Sequence, residues 1–275
     1  MIDIGHTIGN YRITAKLGEG GMGVVYLAEH PVIGKKVAMK AIHPELSKNS
    51  DVVSRFVTEA KAVNQIGHEH IVDIADFGNT SDGEFYFVME YLQGESLSDR
   101  LRRENRLAAG SALSITAQIA DALNASHEQG IIHRDLKPSN ILIAPFDGKP
   151  VVKVIDFGVA KATGQRLTDA TLFTGFGAVV GTPEYMSPEQ AETNNRDIDT
   201  RSDIYSLGVL LYELLTGTTP FAKERFKKAA YDEIRRIIRE EEPPKPSTRL
   251  SELSSLHASG AESGSRSVPA TLAAR

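Results

Sequence analysis

Few folds can accommodate the run Ile131-Ile132-His133-Arg134-Asp135-Leu136-Lys137-Pro138-Ser139-Asn140 followed, sixteen residues after Asn140, by Asp156-Phe157-Gly158. Between them lie two apolar stretches, Ile141–Ile143 and Val151–Ile155, around a turn at Asp147-Gly148-Lys149-Pro150. Short β-rich runs flanking a Pro/Gly turn predict a hairpin. Such a hairpin carries the polar loop before its first strand and Asp156 just after its second, so Asp135, Lys137, Asn140 and Asp156 reach one edge. Two acids, an amide and an ammonium suit a magnesium–phosphate complex: hard oxygen ligands for the metal, a cation for phosphate, one carboxylate to spare. The plainer alternative is a solvated polar loop beside a buried hairpin. Asp-Phe-Gly alone would fit that alternative, since three residues recur by chance; the combined spacing does not.

Composition narrows the classes. With 275 residues, 41% hydrophobic and 24% charged, the chain has length for a large core and the balance of a soluble globular protein. A net charge of −5 gives no basic footprint for nucleic acid. Cysteine is absent, which removes disulfides and thiolate metal sites and fits a reducing, cytoplasmic compartment. Met1–His6 lacks the basic-then-apolar pattern of a secretory leader, and the longest apolar window, Leu207–Leu215, is too short to span a membrane and contains Glu213.

Upstream, Tyr11–Leu17 alternates and runs into Gly18-Glu19-Gly20-Gly21-Met22-Gly23. Glycines at 18, 20 and 23 let backbone amides approach phosphates closely. A dinucleotide-binding turn would need a helix next, whereas Val24–Leu27 continues as a strand. Val37-Ala38-Met39-Lys40 is a strand ending in lysine, and a helix over Asp51–Gln65 follows, with Phe56, Ala60 and Val63 at helical spacing and Glu59 among them. Strands are expected at Ile71–Phe77 and Phe85–Glu90, and helices at Asp99–Glu104 and Ser111–Gln129. Asp203–Leu215 is apolar nearly all round, so it reads as a buried helix whose Asp203 must be hydrogen-bonded. Ala229–Glu242 reads as one charged helix.

The two signatures resemble the catalytic and metal-binding loops of the protein kinase family, and Lys137 two residues after Asp135 resembles its serine/threonine branch. The resemblance implies an α+β, bilobal fold: a small antiparallel-sheet N-lobe with one helix at about residues 9–90, a linker at 90–94, and a mainly helical C-lobe at 95–249. Residues 1–8 are expected as an extension and 250–275 as a disordered Ser/Ala/Gly-rich tail. ATP and Mg²⁺ are the implied cofactors, with Mn²⁺ a permitted substitute. Gly18, Gly20 and Gly23 would cover the phosphates. Lys40, paired with Glu59, would hold them. Leu17, Val25, Ala38, Met89 and Leu142 would surround the adenine, with the backbone of Glu90 and Leu92 at its edge. Asp135 would accept the substrate hydroxyl's proton, Lys137 would neutralise the transferred phosphate, Thr182 would align with both, and Asn140 and Asp156 would hold metal. Asp203 would brace the catalytic loop.

Gly181-Thr182-Pro183-Glu184-Tyr185-Met186-Ser187-Pro188-Glu189-Gln190 resembles the family's peptide-docking segment, most of all in bacterial members. Protein substrates carrying Ser or Thr are therefore the implied partners, with a homodimer allowed for trans-autophosphorylation of Thr168, Thr171 or Thr174 opposite Arg134. The chain is either cytoplasmic or the cytoplasmic domain of a larger membrane-anchored kinase. No segment clearly supplies the buried arginine that pairs with the glutamate at 189 in the family; Arg249 and Arg266 are candidates. The last C-lobe helices are expected to be missing, which leaves a catalytically weak nucleotide-binding scaffold as one alternative and a small-molecule kinase as another.

Overall fold

The computed structural model describes residues 2–157, 173–174, 178–179, 182–192 and 198–252. The N-terminal strands are β1 (Thr7–Ile8), β2 (Tyr11–Glu19), β3 (Gly23–Glu29), β4 (Lys36–Ile42), β5 (Ile74–Asn79) and β6 (Phe85–Glu90). They form one antiparallel sheet in the order β1-β2-β3-β4-β6-β5. Register assigns the faces, because cross-strand partners share a side and successive residues alternate. Val25 pairs with Lys40, Lys40 with Phe87, and Ala38 with both Leu27 and Met89, so these residues line the inner face. Helix α1 (Ser50–Ile66) packs there through Phe56, Ala60 and Val63, with the Phe56 and Phe87 rings 4.8 Å apart. Asn49 caps it by accepting the Asp51 and Val52 N–H groups, and Gly67 ends it in the left-handed conformation, φ 56°.

The outer face carries Tyr26, Val37, Met39, Ala41, Tyr86 and Val88. Such a surface must be covered, and residues 2–8 cover it. Ile2 and Ile8 are buried against it, β1 extends the sheet, and the Tyr26 hydroxyl donates to the Ile2 carbonyl at 3.2 Å. The segment expected as an extension packs on the lobe through these residues. The strand expected at Ile71 begins instead at Ile74. Ile71 bridges to Val154, and the Val72 N–H donates to the Val154 carbonyl at 3.1 Å, tying this connection to the C-lobe.

The C-lobe contains β7 (Glu95–Ser96), α2 (Leu97–Glu104), α3 (Ala109–Glu128), β8 (Ile141–Phe146) and β9 (Lys149–Val154). The β8–β9 turn is tighter than expected. Asp147 and Gly148 alone make it, both with positive φ (48° and 73°), and Pro145 pairs with Pro150 within the strands. Two consecutive positive φ values match the twist of the flanking strands. Phe173–Thr174 (β10) and Ala178–Val179 (β11) pair with each other.

Helix α4 (Thr200–Thr216) is capped by Asp199 and stopped by left-handed Gly217; most of it is buried, but Ile204 is exposed. A short helix, α5 (Lys223–Lys228), precedes extended Ala229 and Ala230, and the helix expected over Ala229–Glu242 follows as α6 (Tyr231–Glu240). The break lets Phe226, Ile234, Ile237 and Ile238 close on Phe221 and Ala191. A last helix, α7, spans 246–252 and opens on Pro246, where a missing N–H costs nothing. It crosses the expected boundary at 249, while residues 253–275 lie outside those described.

The outer-face packing sets a stability test. Replacing Ile8 with Ala should cost about 2–4 kcal/mol, from lost burial plus a cavity, and lower the melting temperature by on the order of 5 °C. Val32→Ala, at an exposed loop position, should change little in the same thermal unfolding experiment.

Candidate active site

Strand alternation directs Lys40 inward, and α1 presents Glu59 from the face it buries. The Lys40 Nζ lies 3.0 Å from Glu59 Oε1 and 2.7 Å from Asp156 Oδ1. Burial disfavours this ammonium, but the charges of Asp156 and Glu59 outweigh it and hold Lys40 above the usual lysine range. Burial pushes Glu59 upward, opposed by Lys40. The Phe87 ring lies 5.6 Å from the same ammonium.

Asp156 adopts a left-handed φ of 56°, and Phe157 after it is fully buried, its ring 4.7 Å from that of His133. His133 is also fully buried. Its Nδ1 accepts the Asp135 N–H at 3.2 Å, so its Nε2 carries the hydrogen, donated to the Ile155 carbonyl at 3.1 Å. This defines a neutral imidazole, in keeping with burial pushing its pKa down.

Asp203 of α4 holds the catalytic loop by its backbone. Its Oδ2 accepts the His133 N–H at 2.8 Å and lies 2.7 Å from His127 Nε2, while its Oδ1 accepts the Arg134 N–H at 2.8 Å. Burial raises the acid's pKa, but the bond from His127, the nearby His133 and the two backbone donors outweigh it and leave Asp203 below the usual carboxylate range. Arg134 takes a left-handed φ of 64°, and its carbonyl accepts from Gln190 Nε2 at 2.8 Å.

This anchoring places the reactive groups. Lys137 Nζ lies 2.8 Å from Asp135 Oδ2. Asn140 Nδ2 donates to the Asp135 carbonyl at 2.9 Å and to its Oδ2 at 3.3 Å, and the Asn140 carbonyl accepts the Ile155 N–H at 2.9 Å, next to Asp156. With its amide nitrogen so used, Asn140 offers its oxygen to a cation, as does the carboxylate of Asp156. Few protein oxygens and no soft donors fit Mg²⁺, which keeps water and phosphate among its ligands. Thr182 and Lys137 border one cleft of about 440 Å³ with Pro138, Tyr185 and Glu213.

The glycines divide by cause. A Cβ on Gly23 would meet the Ala41 carbonyl oxygen at 2.0 Å, so packing alone demands glycine there. A Cβ on Gly18 or Gly20 would meet nothing within 4 Å among the described residues, so packing does not demand glycine at either. Of the residues expected around an adenine, Ala38 is buried, Val25, Met89 and Leu142 are half-buried, and Leu17 is 46% exposed. The Glu90 carboxylate turns away, accepting the Asp73 N–H at 2.9 Å and Lys153 Nζ at 2.6 Å, and the Glu90 N–H donates to the Asp73 carbonyl at 3.0 Å.

Other groups were not foreseen. His127, Gln190 and Lys153 support the site across long sequence separations that no local pattern marks. Glu189 accepts from Ser202 Oγ at 2.5 Å, while Arg249, one of the two candidate partners for Glu189, pairs with Glu252 at 3.3 Å; the other candidate, Arg266, lies outside the described residues. Buried Arg134 Nε has no partner among the described residues.

The family described as "Protein kinase domain" matches residues 11–262, and the chain belongs to that family, in its bacterial serine/threonine branch. It is 47% identical over 222 residues to serine/threonine-protein kinase Pkn1 of Myxococcus xanthus, covering 80% of this chain and 31% of that protein. It is 40% identical over 247 residues to serine/threonine-protein kinase PknB of Mycobacterium leprae, covering 89% and 38%. The chain spans less than half the length of these relatives. The PknI kinase domain of Mycobacterium tuberculosis superposes with a TM-score of 0.66 at 25% identity, covering 94% of this chain and 88% of that one.

Because the folded pKa of Asp203 is depressed, its contribution to stability is complete above the unfolded value of about 3.9 and is lost as pH falls through the folded value. Asp203→Asn should therefore flatten the acid limb of the stability–pH curve and cost about 3 kcal/mol at pH 7. Urea unfolding at several pH values checks both.

Proposed function

We propose that this chain transfers the γ-phosphoryl group of ATP to serine and threonine hydroxyls of proteins. The observation that carries the proposal is Lys40 held between Glu59 and Asp156 while Asp135 is held by Lys137 and Asn140. Lys40 would bind the α- and β-phosphates, its ammonium oriented by Glu59. Gly18 and Gly20 would close over the phosphates, and Leu17, Val25, Ala38, Met89 and Leu142 would enclose the base. Asn140 and Asp156 would hold Mg²⁺, which when bound neutralises phosphate charge. Asp135 would orient the incoming hydroxyl and take its proton as oxygen bonds to phosphorus and the bond to ADP breaks. Lys137 would offset charge on the phosphoryl group in flight. In a loose transition state of this kind, positioning and charge neutralisation carry most of the rate.

Relatives named as serine/threonine-protein kinases favour protein over small-molecule acceptors, and nothing supports the inactive scaffold. No helix among the described residues is long and apolar enough to cross a membrane. We place the domain on the cytoplasmic side, where ATP is, and assign activation to trans-phosphorylation within a dimer. Phosphate on Thr174, Thr171 or Thr168 would give the half-buried Arg134 guanidinium an anionic partner. Thr168 and Thr171 lie outside the described residues.

Labelled ATP with Mg²⁺ and mapping of labelled residues tests the reaction. Asp135→Asn should retain nucleotide binding and lose transfer by about a hundredfold or more. Asp156→Asn should weaken Mg²⁺-dependent binding as well. Near-normal turnover in Asp135→Asn would contradict the assigned roles.

Joint replacement of Thr168, Thr171 and Thr174 by Ala should lower activity roughly tenfold. Full activity, with no phosphate on that loop in the parent chain, would contradict the proposed activation.

A further inference from the structure

The tip of the glycine loop, Gly20-Gly21-Met22, has little to hold it. A Cβ on Gly20 or Gly21 would meet nothing within 4 Å among the described residues, and across the turn the Gly20 N–H donates to the Gly23 carbonyl at 2.9 Å. Beyond the β2–β3 ladder, its hydrogen bonds among the described residues both come from His43, just past the end of β4. The His43 N–H donates to the Met22 carbonyl at 3.1 Å, and its ring Nε2 lies 2.9 Å from the Gly20 carbonyl oxygen. Since a carbonyl can only accept, Nε2 carries the hydrogen. His43 is itself fixed, because its carbonyl accepts the N–H groups of Leu46 and Ser47 at 2.9 and 3.1 Å. The charges facing the ring are modest: Glu19 Oε1 is 3.9 Å away and that residue already pairs with Lys16.

We propose that His43 is a positioning residue for the nucleotide, latching the glycine loop by its ring so that the loop is ordered before phosphate arrives. Glycine segments lose much conformational freedom on ordering, and a contact that orders them in the free protein reduces what the ligand must supply. The geometry also selects a direction. A trans peptide sets its C=O and N–H on opposite sides, so turning the Gly20 carbonyl toward His43 turns the Gly21 N–H away from it, free to donate to a phosphate oxygen. The inference rests on the proposed ATP-dependent activity and concerns the same site.

The test compares parent, His43→Ala, His43→Phe and His43→Gln chains. Ala and Phe lack the donor and should raise KM for ATP, and Kd for Mg²⁺-ATP, about fivefold, with kcat changed less than about twofold. Gln carries an N–H donor at a comparable reach and should restore KM to within about twofold of the parent. Thermal unfolding of all four should agree within about two degrees. Parent-like KM and Kd in His43→Ala, or Gln as impaired as Ala, would overturn the latch. A parent chain that binds Mg²⁺-ATP but transfers nothing would refute the proposed function instead, and the Kd ratios would still decide the latch.

Discussion

One buried carboxylate organises the C-lobe. Asp203 sits 1% exposed at the start of α4, where an unsatisfied charge would cost several kcal/mol. It is tolerated because the His133 and Arg134 N–H groups and the His127 ring meet its two oxygens. The same bonds satisfy backbone donors that have no strand or helix to join. Left-handed Arg134 is held in place, His133 is locked neutral beneath Phe157, and Asp135 emerges at a fixed point. The acid therefore acts through geometry alone and touches nothing that reacts.

Lys40 plays the matching part between the lobes. It projects from the sheet, Glu59 reaches it from α1, and Asp156 reaches it from the end of β9. Each carboxylate alone would leave a buried ammonium poorly compensated; together they raise its pKa and draw three elements into one arrangement. Phosphates arriving at Lys40 would compete for a charge already positioned. The glycine loop above would need only to stay near, and His43 is placed to keep it there.

Legibility in the sequence followed the range of the forces involved. The hairpin, the glycine turn, and the Lys40 strand with its Glu59 helix rest on period and turn chemistry within a few residues, and the structure brings Lys40, Glu59 and Asp156 together. What escaped depends on partners far along the chain. Residues 2–8 gave no sign that Ile2 and Ile8 cover an apolar sheet face, because that face exists only after β3, β4 and β6 pair. The short helix α5 gave no local sign, because Phe226 shares a core with Ile234 only across the break at Ala229 and Ala230. Gly23 also has a packing reason, the Ala41 carbonyl, which no local pattern announces. His127, Gln190 and His43 are ordinary polar residues in the sequence; only tertiary contact gives them work.

Hydrogen bonds to Asp203 would assemble the catalytic loop before any nucleotide binds. Site-resolved amide hydrogen exchange of His133 and Arg134 in the nucleotide-free chain tests it most directly, since exchange reports local opening. The account predicts protection at these two amides close to that of the α4 core around Leu210, with little gain on adding Mg²⁺-ATP. Rapid exchange at both in the free chain, slowed only by nucleotide, would contradict it.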